Sequence, residues 1–260
     1  MAIKDPTDVI FRRQGGSNLL IVGQQDELAF GILANCLLSL SAQLAPHGHQ
    51  PDRFHSFYVL DGTRPDSPDA GFWQRLVKQV PFDAKIVPPR DAAQTVGKLA
   101  EEVERRLASG DQTAEPIFLC INNLARFREL KKSDDFGVSS FEETETSNAD
   151  KQLTTLLREG PSLGVHTLIW CDSYANLNRW LERSTMRDLE MRVLFQMSAT
   201  DSSNLMDSPA ASRLGVHMAI YYNEEKGQAE KFRPYGMPSP TWLAWVAEQL
   251  TRRVAVIEKS

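Results

Sequence analysis

Short, unbroken apolar runs separated by segments of helical spacing restrict this chain's fold more than any other feature. Leu19-Leu20-Ile21-Val22 is one such run and ends at Gly23. Residues 57–61, 84–87, 117–121 and 165–170 are others, and Pro88-Pro89 stops the second of these four. A strand that alternates apolar with polar residues keeps one face in water, whereas a strand apolar throughout is buried on both. Between the runs, apolar residues recur at three- and four-residue steps. Leu33, Cys36, Leu37, Leu40 and Leu44 do so over 26–44, and Val96, Leu99, Val103 and Leu107 over 91–108, with a shorter helix at 72–80. Asp26 and Glu27 open the first helix at the end its dipole favours, and Pro46 lies beyond its close. Residues 192–197, 218–222 and 230–235 read as later strands, the last paired beside its predecessor. This alternation predicts an α/β chain with a mostly parallel central sheet and helices on both faces.

With 260 residues, 42% of them apolar, the chain has material for one substantial domain. The division expected is a lead-in over 1–15, the domain over 16–250 and a tail over 251–260, with 131–150 forming an acidic, aperiodic loop or lid. A formal net charge of -5 gives no sign of the basic stripe that marks a stand-alone duplex binder. Cys36, Cys120 and Cys171 sit in or beside apolar runs without metal spacing, as reduced core thiols do. That usage, with no apolar run near the ~18 residues a membrane span needs, leads us to expect a cytoplasmic domain without membrane contact of its own. A tether elsewhere in a larger protein is compatible with this.

A buried strand, a glycine and a helix form the setting of the phosphate-binding loop G-x-x-x-x-G-K-[ST]. Its glycines let backbone N–H groups wrap phosphates, its lysine neutralises them and its hydroxyl holds magnesium. Here the residues are Gly23-Gln24-Gln25-Asp26-Glu27-Leu28-Ala29-Phe30, with Leu28 at the second glycine, Ala29 at the lysine and Phe30 at the hydroxyl. Asp26 and Glu27 place carboxylates where a triphosphate would lie. The second half of such a site is a strand ending in Asp-Glu, which positions magnesium and the attacking water; 117–121 runs instead into Asn122-Asn123. An amide carries no charge, so it is a poor magnesium ligand and no general base. These residues are read as a vestigial loop and a vestigial acidic pair. No catalytic residue, metal ligand or cofactor is expected.

Taken in order, the segments resemble the FtsK/SpoIIIE family of DNA translocases. Residues 16–23 (GSNLLIVG) resemble its strand into the phosphate loop, and 156–169 (LLREGPSLGVHTLI) its helix-into-strand segment. Cys171-Asp172-Ser173 stands at the sensor position, where the family has Thr-Gln-Arg. Residues 192–198 (RVLFQMS), Asp201-Ser202-Ser203 and 207–221 (DSPAASRLGVHMAIY) resemble later family segments, so the likeness covers nearly the whole chain. More narrowly, it is similar to the degenerate domains of tandem members, a group that includes the secretion ATPase EccC. The resemblance implies a three-layer RecA-like P-loop NTPase fold. It also implies partners among other ATPase domains of the same or a tandem chain, in a module that assembles or regulates a translocating machine. Two alternatives stay open. One is a DNA-translocating ATPase completed by neighbouring subunits, with ATP and magnesium as its cofactors; the other recruits a linker or substrate peptide.

Other residues carry blander expectations. His47 and His49 read as a solvated turn, and His166 as a hydrogen-bonded core histidine. Ser173 and Ser202 lack a partner base in the sequence. Trp242 and Trp245 read as a core-facing stripe of a terminal helix, and Asp61 as a turn cap or a ligand contact at a strand's carboxyl end.

Overall fold

The computed structural model describes residues 7–44, 54–80, 82–133 and 148–257, with side chains as far as Arg253. His47, His49 and most of the acidic segment, 134–147, lie outside the described residues.

Strands β1 (Leu19–Val22), β2 (Phe57–Asp61), β3 (Ala84–Val87), β4 (Ile117–Asn122), β5 (Val165–Cys171), β6 (Met191–Leu194), β7 (Ala219–Asn223) and β8 (Gln228–Phe232) form one sheet of order β3-β2-β4-β5-β1-β6-β7-β8. β3 through β6 in that order are mutually parallel, and β7 and β8 continue antiparallel. The expected antiparallel neighbours are therefore present, with β8 starting two residues before the expected 230. Helices α1 (Asp26–Ser41), α2 (Phe72–Gln79), α3 (Ala92–Ser109), α4 (Ala149–Glu159), α5 (Tyr174–Trp180), α6 (Ala199–Met206) and α7 (Pro240–Ile257) complete the chain.

The double-sided burial read from the apolar runs is literal. Leu19 and Ile21 enter one core with Leu33, Trp73 and Leu243, which brings α1, α2 and α7 onto one face. Leu20 and Val22 enter a second core with Val96, Leu99 and Leu153, which places α3 and α4 on the other. Successive side chains of a strand point to opposite faces, so each run feeds both cores. The result is three layers.

Trp242 and Trp245 depart from expectation. α7 packs through Leu243, Val246 and Leu250, leaving Trp242 40% and Trp245 56% exposed. Steps of three and four residues put the three aliphatic side chains on one stripe, and the tryptophans fall beside it.

α1 contains a constraint that propensity alone misses. A Cβ on Gly31 would lie 2.7 Å from the carbonyl oxygen of Tyr235, in the strap that leads into α7. Alanine favours a helix interior over glycine by about 1 kcal/mol, but this collision is with backbone. Gly31→Ala is therefore expected to destabilise the protein, by about 1–3 kcal/mol, in urea unfolding; a raised midpoint would show that the strap yields.

Candidate functional site

The carboxyl ends of the parallel strands lie along one edge of the sheet, where open α/β sheets place their ligands. The three segments singled out in the sequence converge there: the Gly23 turn after β1, Cys171-Asp172-Ser173 after β5 next to it, and Asn122-Asn123 after β4 one strand further.

The Gly23 turn is short and tightly held. Gly23 has φ +134, and a Cβ there would meet the Phe195 side chain at 2.7 Å. Its N–H donates to Cys171 O (3.1 Å), and its carbonyl accepts from Trp170 Nε1 (3.1 Å). Only Gly23, Gln24 and Gln25 separate β1 from α1, so Asp26–Phe30 at the remaining loop positions are already helical. Leu28 is buried, Ala29 is fully buried and Phe30 is 3% exposed. The Phe30 ring stacks on Trp73 at 5.7 Å and meets Phe72 and Trp170 edge-on at 6.0 and 6.1 Å. Phe30, expected from the sequence at the hydroxyl position of the loop, is thus part of an aromatic core.

At the end of β4, Asn122 is fully buried, and its Nδ2 donates to Thr63 Oγ1 (3.0 Å). Asn123 adopts φ 65. The Oδ1 atoms of both are buried without a hydrogen-bond partner among the described residues. Asp61, opposite Asn122 in register, caps the next turn by accepting from Thr63 N (3.0 Å) and also accepts from Gln74 Nε2 (3.2 Å).

After β5 the side chains serve a helix start. Ser173 Oγ accepts from Asn176 N (3.2 Å) and donates to Asp172 Oδ1 (3.1 Å), which also accepts from Asn176 Nδ2 (2.7 Å). Burial pushes the Cys171 thiol up to about 12, so it is no nucleophile at neutral pH. Ser202 is likewise structural, donating to Ser208 O and accepting from Ala211 N.

Negative charge gathers at the start of α1. The Asp26 carboxyl is held above its usual range by partial burial first, then by Asp172, with Asp69 adding to it and Arg64 opposing. Arg64 is itself engaged, donating twice to Asp66 at 3.0 and 2.8 Å. Sequence reasoning missed the loop after β2, which supplies Arg64 and Asp69. Among the described residues no group of three or more His, Cys, Asp or Glu is arranged to hold a metal ion, and no helix is long and apolar enough to cross a membrane.

This sheet, with helices on both faces, has the fold of P-loop ATPase domains. The chain is similar to the conjugation coupling protein TcpA of pCW3, in a monomer form with ATPγS, at TM-score 0.61 and 14% identity over 91% of this chain and 64% of that one. It is similar to EssC (ATPases 2 and 3) from Geobacillus thermodenitrificans at TM-score 0.62 and 14% identity, over 92% of this chain and 44% of that one. B204, the DNA-packaging ATPase from Sulfolobus Turreted Icosahedral Virus, matches at TM-score 0.53 and 11% identity over 87% of this chain and all of its own. This chain thus spans under two thirds of the TcpA and EssC chains. No family model matches it, and no curated protein matches it in sequence.

Proposed function

We propose that this chain is a catalytically degenerate FtsK/SpoIIIE-type ATPase module, acting in the assembly or regulation of a DNA- or protein-translocating machine. The observation that carries the reading is Phe30. At the position of the magnesium-binding hydroxyl, it is locked among Trp73, Phe72 and Trp170 beneath a turn only three residues long. A phosphate cradle needs backbone N–H groups splayed around the anion and a cation to neutralise it. Here α1 starts early, and at its first residue the carboxylates of Asp172 and Asp69 act against Asp26, opposed by an Arg64 already paired with Asp66. The neighbours are named as a conjugation coupling protein, two ATPases of EssC and a DNA-packaging ATPase, which supports a place in a translocating assembly beside other ATPase domains of the same or a tandem chain.

Isothermal titration of the protein with MgATP tests the reading. No saturable binding is expected up to ~1 mM nucleotide, a bound of about -4 kcal/mol. Micromolar, magnesium-dependent binding accompanied by turnover would overturn it.

A further inference from the structure

Beside the first turn of α1 a cavity of about 500 Å³ opens between α2 and the strap into α7. Phe72, Leu76 and Leu243, all buried, supply apolar lining, while Glu27 and Asp69 supply carboxylates. Asp69 and Asp172 both hold the Asp26 carboxyl above its usual range, so negative charge extends from the cavity toward the Gly23 turn. Arg75 lines the same cavity and keeps its charge while Nη1 donates to the Ala70 carbonyl (2.9 Å), so two carboxylates stand against one guanidinium; Arg64 is paired with Asp66. An apolar cavity bordered by excess negative charge is complementary to a cation on an apolar stem.

We infer that this cavity receives a lysine or arginine side chain of a partner protein, carried beside an apolar residue. The inference rests on the reading of the Gly23 turn as one that holds no triphosphate, whose phosphates carry the same negative charge as these carboxylates and would compete with them for a cation. The volume lies within the range of ligand pockets, about 300–1,000 Å³. The methylenes of a long basic side chain cover apolar surface while its head stays at the polar border. Met237, Pro238 and the edge of Phe72 offer that surface, and Glu27 and Asp69 that border. A cation leaving water needs an opposite charge to offset its lost hydration. Complementary charge of this kind selects the partner and steers its approach more than it adds affinity. The same potential repels a nucleic-acid backbone, so DNA is not the occupant.

The test is a backbone-amide NMR titration of the whole chain with two defined probes, acetyl-Leu-Arg-Leu-amide and its charge-reversed analogue acetyl-Leu-Glu-Leu-amide. The arginine peptide is expected to shift the amides of Glu27, Asp69 and Phe72 with a dissociation constant of ~1 mM, and the glutamate peptide to leave them in place. Asp69→Asn should weaken the arginine peptide roughly tenfold, about 1.4 kcal/mol. Glu27→Gln, a second variant at an exposed position, keeps the test available if the first perturbs the loop. Equal shifts from both peptides, no shift at all, or shifts confined to the Trp245 face would each overturn the inference. MgATP titrated in parallel separates the two ideas. Nucleotide bound at the Gly23 turn sinks the reading of the turn, whereas silence from both nucleotide and arginine peptide sinks only the cavity's assignment.

Discussion

A chain carrying Phe30→Ser is expected to lose about 3–5 kcal/mol of stability and to gain no affinity for MgATP. Restoring a hydroxyl at this position is the first step toward a phosphate loop, so in a merely weakened ATPase it should help. The packing says otherwise. Phe30 is 3% exposed and its ring contacts Trp73, Phe72 and Trp170, so truncation leaves a cavity bounded by three large rings and puts a hydroxyl into it. The full restoration, adding Leu28→Gly, Ala29→Lys, Asn122→Asp and Asn123→Glu, should fare worse. Ala29 and Asn122 are fully buried, and a lysine or aspartate there would be a charge without water or a paired ion. Urea unfolding followed by isothermal titration decides the matter. A restored chain within ~1 kcal/mol of the parent that binds MgATP would mean that the loop can reopen, and the degenerate reading would fail.

The contrast between these two outcomes reflects what the sequence could and could not reveal. The parallel order was legible because a strand buried on both faces has to be apolar at every position, and Leu19–Val22 is fully buried. Strand ends were less so. The run expected over 192–197 pairs only as Met191–Leu194, although Phe195 is fully buried and its N–H donates to Val22 O. Apolarity reports burial, and burial outlasts the ladder. The changed motif positions at Leu28, Ala29 and Phe30 were visible one by one, but nothing local says that Phe30 lies on Trp73 and Trp170, which come from other elements. The electrostatic setting of Asp26 was hidden for the same reason. Its neighbours Asp172 and Asp69 arrive from the ends of β5 and the loop after β2, and only the sheet order brings them together. The exposed tryptophans of α7 were misassigned because a stripe and its flank share the same three-residue step.

Lowering the pH from 6.5 toward 4 is expected to remove about 3 kcal/mol of stability through His166 alone. The imidazole is 3% exposed, stacks on Phe118 at 5.5 Å and lies 2.9 Å from the Ser17 carbonyl through Nδ1. Burial lowers its pKa from 6.5 to about 4, a shift opposed by the Ser17 contact and aided by Arg13. With the folded value depressed, the unfolded chain takes up the proton first as pH falls, so the contribution is complete above 6.5 and lost on the way to 4. Carboxylates also titrate toward the acid end of this window, and Asp26 acts in the opposite sense because its folded pKa is raised. Comparison with His166→Gln cancels those shared contributions. The variant, whose amide can still donate to Ser17, should be less stable at pH 7 through lost stacking yet show a flatter dependence of unfolding free energy on pH between 6.5 and 4. Parallel curves for the two proteins would mean that the ring is protonated within the folded core, and the account of His166 as a neutral core histidine would be wrong.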